Sequence, residues 1–347
     1  MTVVGSRSAI RQRRGRRVVA LDIARGIAIL GMFFAHSSPV TADSHVGLKA
    51  VAAAAQVTAP LFVTLAGISV GLMSGGASPH PRGSRRDTRL QLLRRGFLLI
   101  LLGLILWQLD SPIAVVLDYI GVTVLVLVPM LFLPRSVLAV VAAVGVVVSP
   151  IIHQWSVSSG LAAQASVNPA AAKVVSWLAA GPSYWLPMFL FFAVCGLIVA
   201  RSDVRSRGTA WCLALGGPSL VIVAVLLGRL LGTSVYPGAT STTAHLVAVG
   251  CAALLIGALL LLTSVTLPRL ISGAMAPLAA AGRMPVTIYS AQVILFAVFE
   301  RWVPVTDSWS FMAAITAASL IGAWLWLRFV AQQGPLERLI SFASGRR

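Results

Sequence analysis

Acidic residues are scarce in this chain. Nine Asp and Glu stand against 27 Lys and Arg in 347 positions, and charged residues of either sign make up only 10%. A soluble domain of this size needs far more charge on its surface, so that class is excluded. Cysteine is almost missing too. Cys195, Cys212 and Cys251 are odd in number, lie inside apolar runs and show no CxxC or Cys/His spacing. Neither a disulfide framework nor a zinc or other metal site is indicated, and the three thiols read as small packing residues. There is no phosphate-binding loop, no HExxH, no GxSxG elbow and no dinucleotide fingerprint, so transport powered by the chain's own ATP hydrolysis is excluded. Gly67, Gly71, Gly75 and Gly76 space like helix-packing glycines instead.

What is present is apolar. Hydrophobic residues fill 58% of the chain, and the mean hydropathy is +0.92. A run of ~20 apolar residues crosses the hydrocarbon core of a bilayer, and such runs recur. In lipid the backbone must pair within the segment or in a closed barrel. These runs lack the alternation of barrel strands, so they are helices. The expectation is an all-α fold, a polytopic integral membrane helix bundle of about ten transmembrane helices. The spans fall at 18–38, 47–74, 93–109, 112–133, 136–153, 183–201, 209–231, 243–267, 284–300 and 308–331. Residues 75–92 and 154–182 read as the longer loops, and 268–283 as a re-entrant or interfacial segment. Pro60-Leu61-Phe62 with Ala66-Gly67 faintly echoes Pro187-Met188-Phe189 with Ala193 and Gly196.

A net charge of +18 could suggest nucleic acid, but the arginines hug the helix ends. Arg7, Arg11, Arg13, Arg14, Arg16 and Arg17 precede the first span, and Arg82, Arg85, Arg86, Arg89, Arg94 and Arg95 sit around one loop. That is topogenic charge, able to touch anionic membrane lipid, and no nucleic-acid partner is expected. With both termini cytoplasmic, about 20 of the 27 Lys and Arg fall inside, and only Lys49, Lys173 and Arg301 fall outside. This divides the chain into a basic cytoplasmic tail 1–17, a helical domain 18–331 and a cytoplasmic tail 332–347. The basic-then-apolar start resembles a signal peptide, yet Asp22 and Arg25 interrupt its apolar core, so 18–38 reads as a retained helix.

Ionisable groups at membrane depth are costly, and each is a candidate functional residue. Asp22, Arg25 and His36 all lie on the first helix. Asp22 and Arg25 are three apart and can pair on one face. His36 follows Arg25 by eleven residues, about three turns, which returns it to that face roughly 16 Å further along. Such a stripe can line a passage through the bundle. It can equally be a structural ion pair with a capping histidine. His45 is a second imidazole near the same mouth, with Asp43 close enough to orient either ring. Asp118 on the fourth span needs a partner, for which Arg25 or Tyr119 are candidates. Arg283 stands at the mouth of the ninth span, followed by Thr287, Tyr289 and Gln292. With Gln56, Thr58 and Arg229, these suit interhelical hydrogen bonding.

The opening Leu21-Asp22-Ile23-Ala24-Arg25-Gly26-Ile27-Ala28 resembles the first helix of the transmembrane acyltransferase superfamily, which includes heparan-α-glucosaminide N-acetyltransferase and the YeiB-like bacterial proteins. Three further stretches are similar to the YeiB-like branch: Leu61-Phe62-Val63-Thr64-Leu65-Ala66-Gly67-Ile68-Ser69, Ala281-Gly282-Arg283-Met284-Pro285-Val286-Thr287-Ile288-Tyr289, and Gly334-Pro335-Leu336-Glu337-Arg338. The resemblance implies a cell-membrane protein, in bacteria of the inner membrane, with ten or eleven helices. It would carry an acyl group, acetyl above all, from cytosolic acetyl-CoA or another acyl-CoA to a hydroxyl or amine. The acceptor class would be a sugar or glycolipid, and no metal is implied. Arg25 and Arg283 would meet the phosphates of CoA. His36, or in reserve His45, would be the general base or the transient acyl carrier. A secondary transporter or flippase using the Asp and Arg residues for gating or proton coupling is the competing reading. The oligomeric state stays open, a homodimer being one option.

Overall fold

A computed structural model describes residues 17–41, 43–264, 273–302 and 307–345, and the described residues form helices joined by turns without strands. In chain order the helices are α1 (Val19–Ser37), α2 (Val46–Ala55), α3 (Thr58–Met73), α4 (Arg85–Trp107), α5 (Leu117–Leu127) and α6 (Arg135–Ser158). There follow α7 (Leu161–Ala165), α8 (Pro169–Val175), α9 (Leu186–Arg201), α10 (Arg207–Leu231) and α11 (Thr242–Ser264). The last four are α12 (Ala276–Arg283), α13 (Pro285–Trp302), α14 (Trp309–Phe329) and α15 (Pro335–Ala343).

Among the described residues, seven segments are long and apolar enough to cross a membrane alone, with α2 and α3 counted as one. Helices α12 and α13 form an eighth as a pair bent by 82°. The stretches Leu117–Met130 and Leu186–Arg201 are shorter apolar helices. Each of the ten expected spans therefore coincides with a helical segment. The edges move. The fourth helix begins at Arg85, so half of the expected loop 75–92 is helical, with Leu92 fully buried and Arg86 and Arg89 exposed. The sixth continues to Ser158 through Pro150. Loop 154–182 holds α7, α8 and one π-helical turn, Ser176–Ala180, and the tail 332–347 contains α15.

Lipid supplies no hydrophobic force between helices, so close packing of small residues holds such bundles together. A Cβ on Gly67 of α3 would overlap the backbone of Ala193, and one on Gly196 of α9 would overlap the carbonyl of Thr64. The two faintly similar segments thus pack on each other. Gly217 and Gly250 do the same for α10 and α11, and Gly96 and Gly121 for α4 and α5. Arg201 is buried at the end of α9. It donates to the Gly76 carbonyl (2.5 Å), to Ser74 Oγ (2.9 Å) and to the Leu131 carbonyl, tying three elements together.

Candidate functional site

Asp22 sits within the first turn of α1, and Arg25 one turn on. Arg25 Nη1 donates to Asp22 Oδ1 at 2.6 Å, and Nη2 donates to Ser69 Oγ on α3 at 2.9 Å. The pair is mostly enclosed, with side-chain exposures of 19% for Arg25 and 10% for Asp22. In such surroundings a charge persists only when paired and hydrogen-bonded. Behind it, α12 lies against α1 with almost no side chain between them. A Cβ on Gly26 would strike the Leu278 carbonyl, and one on Gly282 the Asp22 carbonyl.

The neighbouring Arg283 donates from Nη2 to the Gln332 carbonyl at 2.7 Å. Glu337 on α15 accepts from the backbone N–H groups of Val286 (2.7 Å) and Thr287 (3.1 Å) and from Thr287 Oγ1 (2.5 Å). A carboxylate there satisfies donors that the first turn of α13 would otherwise leave unpaired. The four stretches singled out by resemblance thus meet in one place. The first joins the second through Arg25–Ser69, the third through Gly26 and Gly282, and the third joins the fourth through Thr287–Glu337.

From this point a cavity of about 460 Å³ runs along α1. Arg25, Ser69 and Arg95 line one end of it; His36, Gln56, Tyr184 and the segment 237–240 line the other. Phe62, Leu99, Val116 and Met188 supply an apolar middle. Arg25 and His36 therefore face a common space, separated along the helix by roughly 16 Å. His36 is half-buried and has no hydrogen-bond partner among the described residues, so its ring is presented to the cavity.

The remaining expected residues divide. His45 is exposed at the start of α2, where its Nδ1 accepts from Gly47 N–H at 3.2 Å, and it lies outside the cavity lining. Tyr289 lines the cavity and anchors the segment before α5; its hydroxyl accepts from Val116 N–H (2.9 Å) and donates to the Ala114 carbonyl (3.2 Å). Arg283 and Thr287 stay behind the wall. Gln292 is buried, but neither amide atom has a partner among the described residues, contrary to the expected interhelical bond. Arg229 is exposed near the end of α10.

The expected partners of Asp118 need correction. Neither Arg25 nor Tyr119 pairs with it. Lys173 Nζ lies 2.8 Å from Asp118 Oδ2, and Trp177 Nε1 donates to the same oxygen at 2.7 Å. The Tyr119 hydroxyl shares a hydrogen bond with Ser176 instead. Loop 154–182 folds back onto α5, a long-range pairing that no local spacing announces. His153 and His245 were also not singled out. His153 stacks on Trp185 at 4.0 Å, and His245 is 1% exposed with both ring nitrogens unpartnered among the described residues. An imidazole inside the apolar run of α11 was the available signal.

Residues 18–328 match the profile of a family described as acyltransferase domain. No curated protein matches the chain.

Proposed function

The chain belongs to the acyltransferase-domain family, and from that premise we propose that it moves an acyl group, acetyl above all, from an acyl-CoA at the arginine-lined end of the cavity to an acceptor at the His36 end. The supporting observation is that Arg25 and His36 line one continuous cavity from opposite ends. Guanidinium groups suit the CoA phosphates. Arg25 and Arg95 reach the cavity, and Arg283 adds positive charge beside Asp22 from behind the wall. The apolar middle accommodates an uncharged thioester arm.

At the far end, the His36 imidazole takes the proton from an acceptor hydroxyl or amine as its oxygen or nitrogen attacks the thioester carbonyl. The C–S bond breaks, the thiolate of CoA leaves, and the proton passes on to that sulfur or to water. Gln56, Ser183 and Thr240 offer neutral hydrogen bonds around His36, which suits a sugar or glycolipid acceptor. The finer kinship with the YeiB-like branch, the cytoplasmic placement of both termini and residence in the cell membrane of a bacterium are parts of the same proposal.

Purified protein in detergent provides the test. Acetyl-CoA well above micromolar should raise the melting temperature, because a ligand that binds only the folded state stabilises it. It should also be turned over slowly to CoA. Absence of both effects overturns the reading in favour of a transporter.

A further inference from the structure

The cavity's arginine end lies beside helices packed backbone to backbone, whereas part of its His36 end is walled by chain outside the long helices. Residues 182–185 form part of that wall, directly after α8 and the π-helical turn. From Lys173 to Trp185 this segment lies as a strap across the ends of α5 and α6. Single π turns interrupt helical register and re-aim side chains, frequently at functional positions.

The strap has two sets of fastenings. Toward α6 they are neutral: the Ala179 carbonyl accepts from Ser156 Oγ at 3.0 Å and bonds His153 Nδ1 at 2.8 Å, and Trp185 Nε1 donates to Ser149 Oγ at 2.8 Å. Toward α5 the fastenings are an ion pair between Lys173 and a fully buried Asp118, the Trp177 Nε1–H donated to the same carboxylate, and the hydrogen bond between Tyr119 and Ser176. The ammonium lies 5.0 Å from the Trp107 ring centroid, 5.6 Å from that of Tyr119 and 6.0 Å from that of Trp177. Asp118 Oδ1 is buried without a partner among the described residues.

An ion pair taken out of water gains little over apolar packing of the same volume. What such a pair can contribute instead is a preference for one geometry over others. Meanwhile the outer side of the strap carries exposed Val174 and Leu178.

We propose that Lys173 and Asp118 are positioning residues, whose ion pair holds the strap across the His36 end and so sets the passage by which the acceptor reaches the cavity. This rests on the acyltransfer reading for the identity of what passes, but not for the strap itself.

The experiment uses the full chain with Cys195, Cys212 and Cys251 changed to Ala. A probe cysteine replaces Met188, a cavity-lining residue one turn past Trp185. A control cysteine replaces Val194, which is fully buried away from the cavity. Single loss of either partner leaves a buried charge and threatens folding, so the decisive variant is Asp118→Asn with Lys173→Met. Reaction of Met188→Cys with a bulky hydrophilic maleimide should then accelerate about tenfold or more, as expected for local opening. Val194→Cys should stay protected, and Lys173→Arg with Asp118 intact should restore slow labelling.

Acetyl-CoA hydrolysis should rise in the double variant, while its thermal stabilisation by acetyl-CoA stays as in the parent. An unchanged Met188→Cys rate, or a parallel rise at Val194→Cys, overturns the proposal. If acetyl-CoA stabilises no variant, the parent included, it is the acyltransfer reading that fails, and the labelling rates still decide the strap.

Discussion

The two ends of the cavity are built by different means. Around Arg25 the backbones of α1 and α12 touch through Gly26 and Gly282, and a carboxylate caps α13. Around His36 the walls include the segment 237–240 and the strap, which is fastened by side chains. Backbone contact admits one arrangement, whereas side-chain fastenings can be released and remade as a set. An end that meets the same CoA every cycle suits the first construction, and an end that must admit and release an acceptor suits the second.

Placing the ends on opposite sides of a membrane has an all-or-none consequence. With the arginine end cytoplasmic, a cysteine at Val167 in the 154–182 loop should react with an impermeant reagent from outside, and one at Gly83 only after permeabilisation. The reverse pattern breaks the proposed topology.

Next in size is His36→Gln. Loss of a general base should lower transfer by about 10²–10⁴-fold with acetyl-CoA binding retained. His45→Gln, which loses only a helix-cap contact, should stay within a few-fold. Full activity in both removes histidine catalysis.

Arg283→Ala removes a positive charge from behind the cavity wall and should weaken acetyl-CoA binding by up to about tenfold and reduce its salt sensitivity, since attraction between that charge and phosphate is screened over ~8–10 Å. Titrations at two ionic strengths check this.

Stability sharpens the contrast further. Gly282→Ala forces two backbones apart and should cost about 1–3 kcal/mol, read as a lower melting temperature. Gly216→Ala, with open space around it, should be neutral or slightly stabilising, because Ala is the better helix former. Smaller than the Gly282 effect is that of Glu337→Gln, which keeps an acceptor but loses the charge at the start of α13. About 0.5–1 kcal/mol is expected from the helix dipole.

Much of the fold was legible because hydropathy is a local property. Each apolar run became a helical segment, and even the weak similarity of 60–67 to 187–196 marked two helices that touch. The Asp22–Arg25 pair and the shared face of Arg25 and His36 were legible for the same reason, since both follow from residue spacing on one helix. Pairings between elements were not. Asp118 finds Lys173, 55 positions away, and Arg201 finds the Leu131 carbonyl, because helix rotation and loop return are fixed by packing. Nor does a motif disclose that Glu337 will cap the helix of Thr287.

One consequence of placing Arg25 and His36 on a single helix concerns measurement. Their separation is a gauge cut into one rigid rod, independent of how neighbouring helices shift with lipid or temperature. Inserting one residue between them would change the axial gap by only about 1.5 Å but rotate His36 by about 100° around α1. The gauge would still read nearly the right length while pointing at the wrong helix.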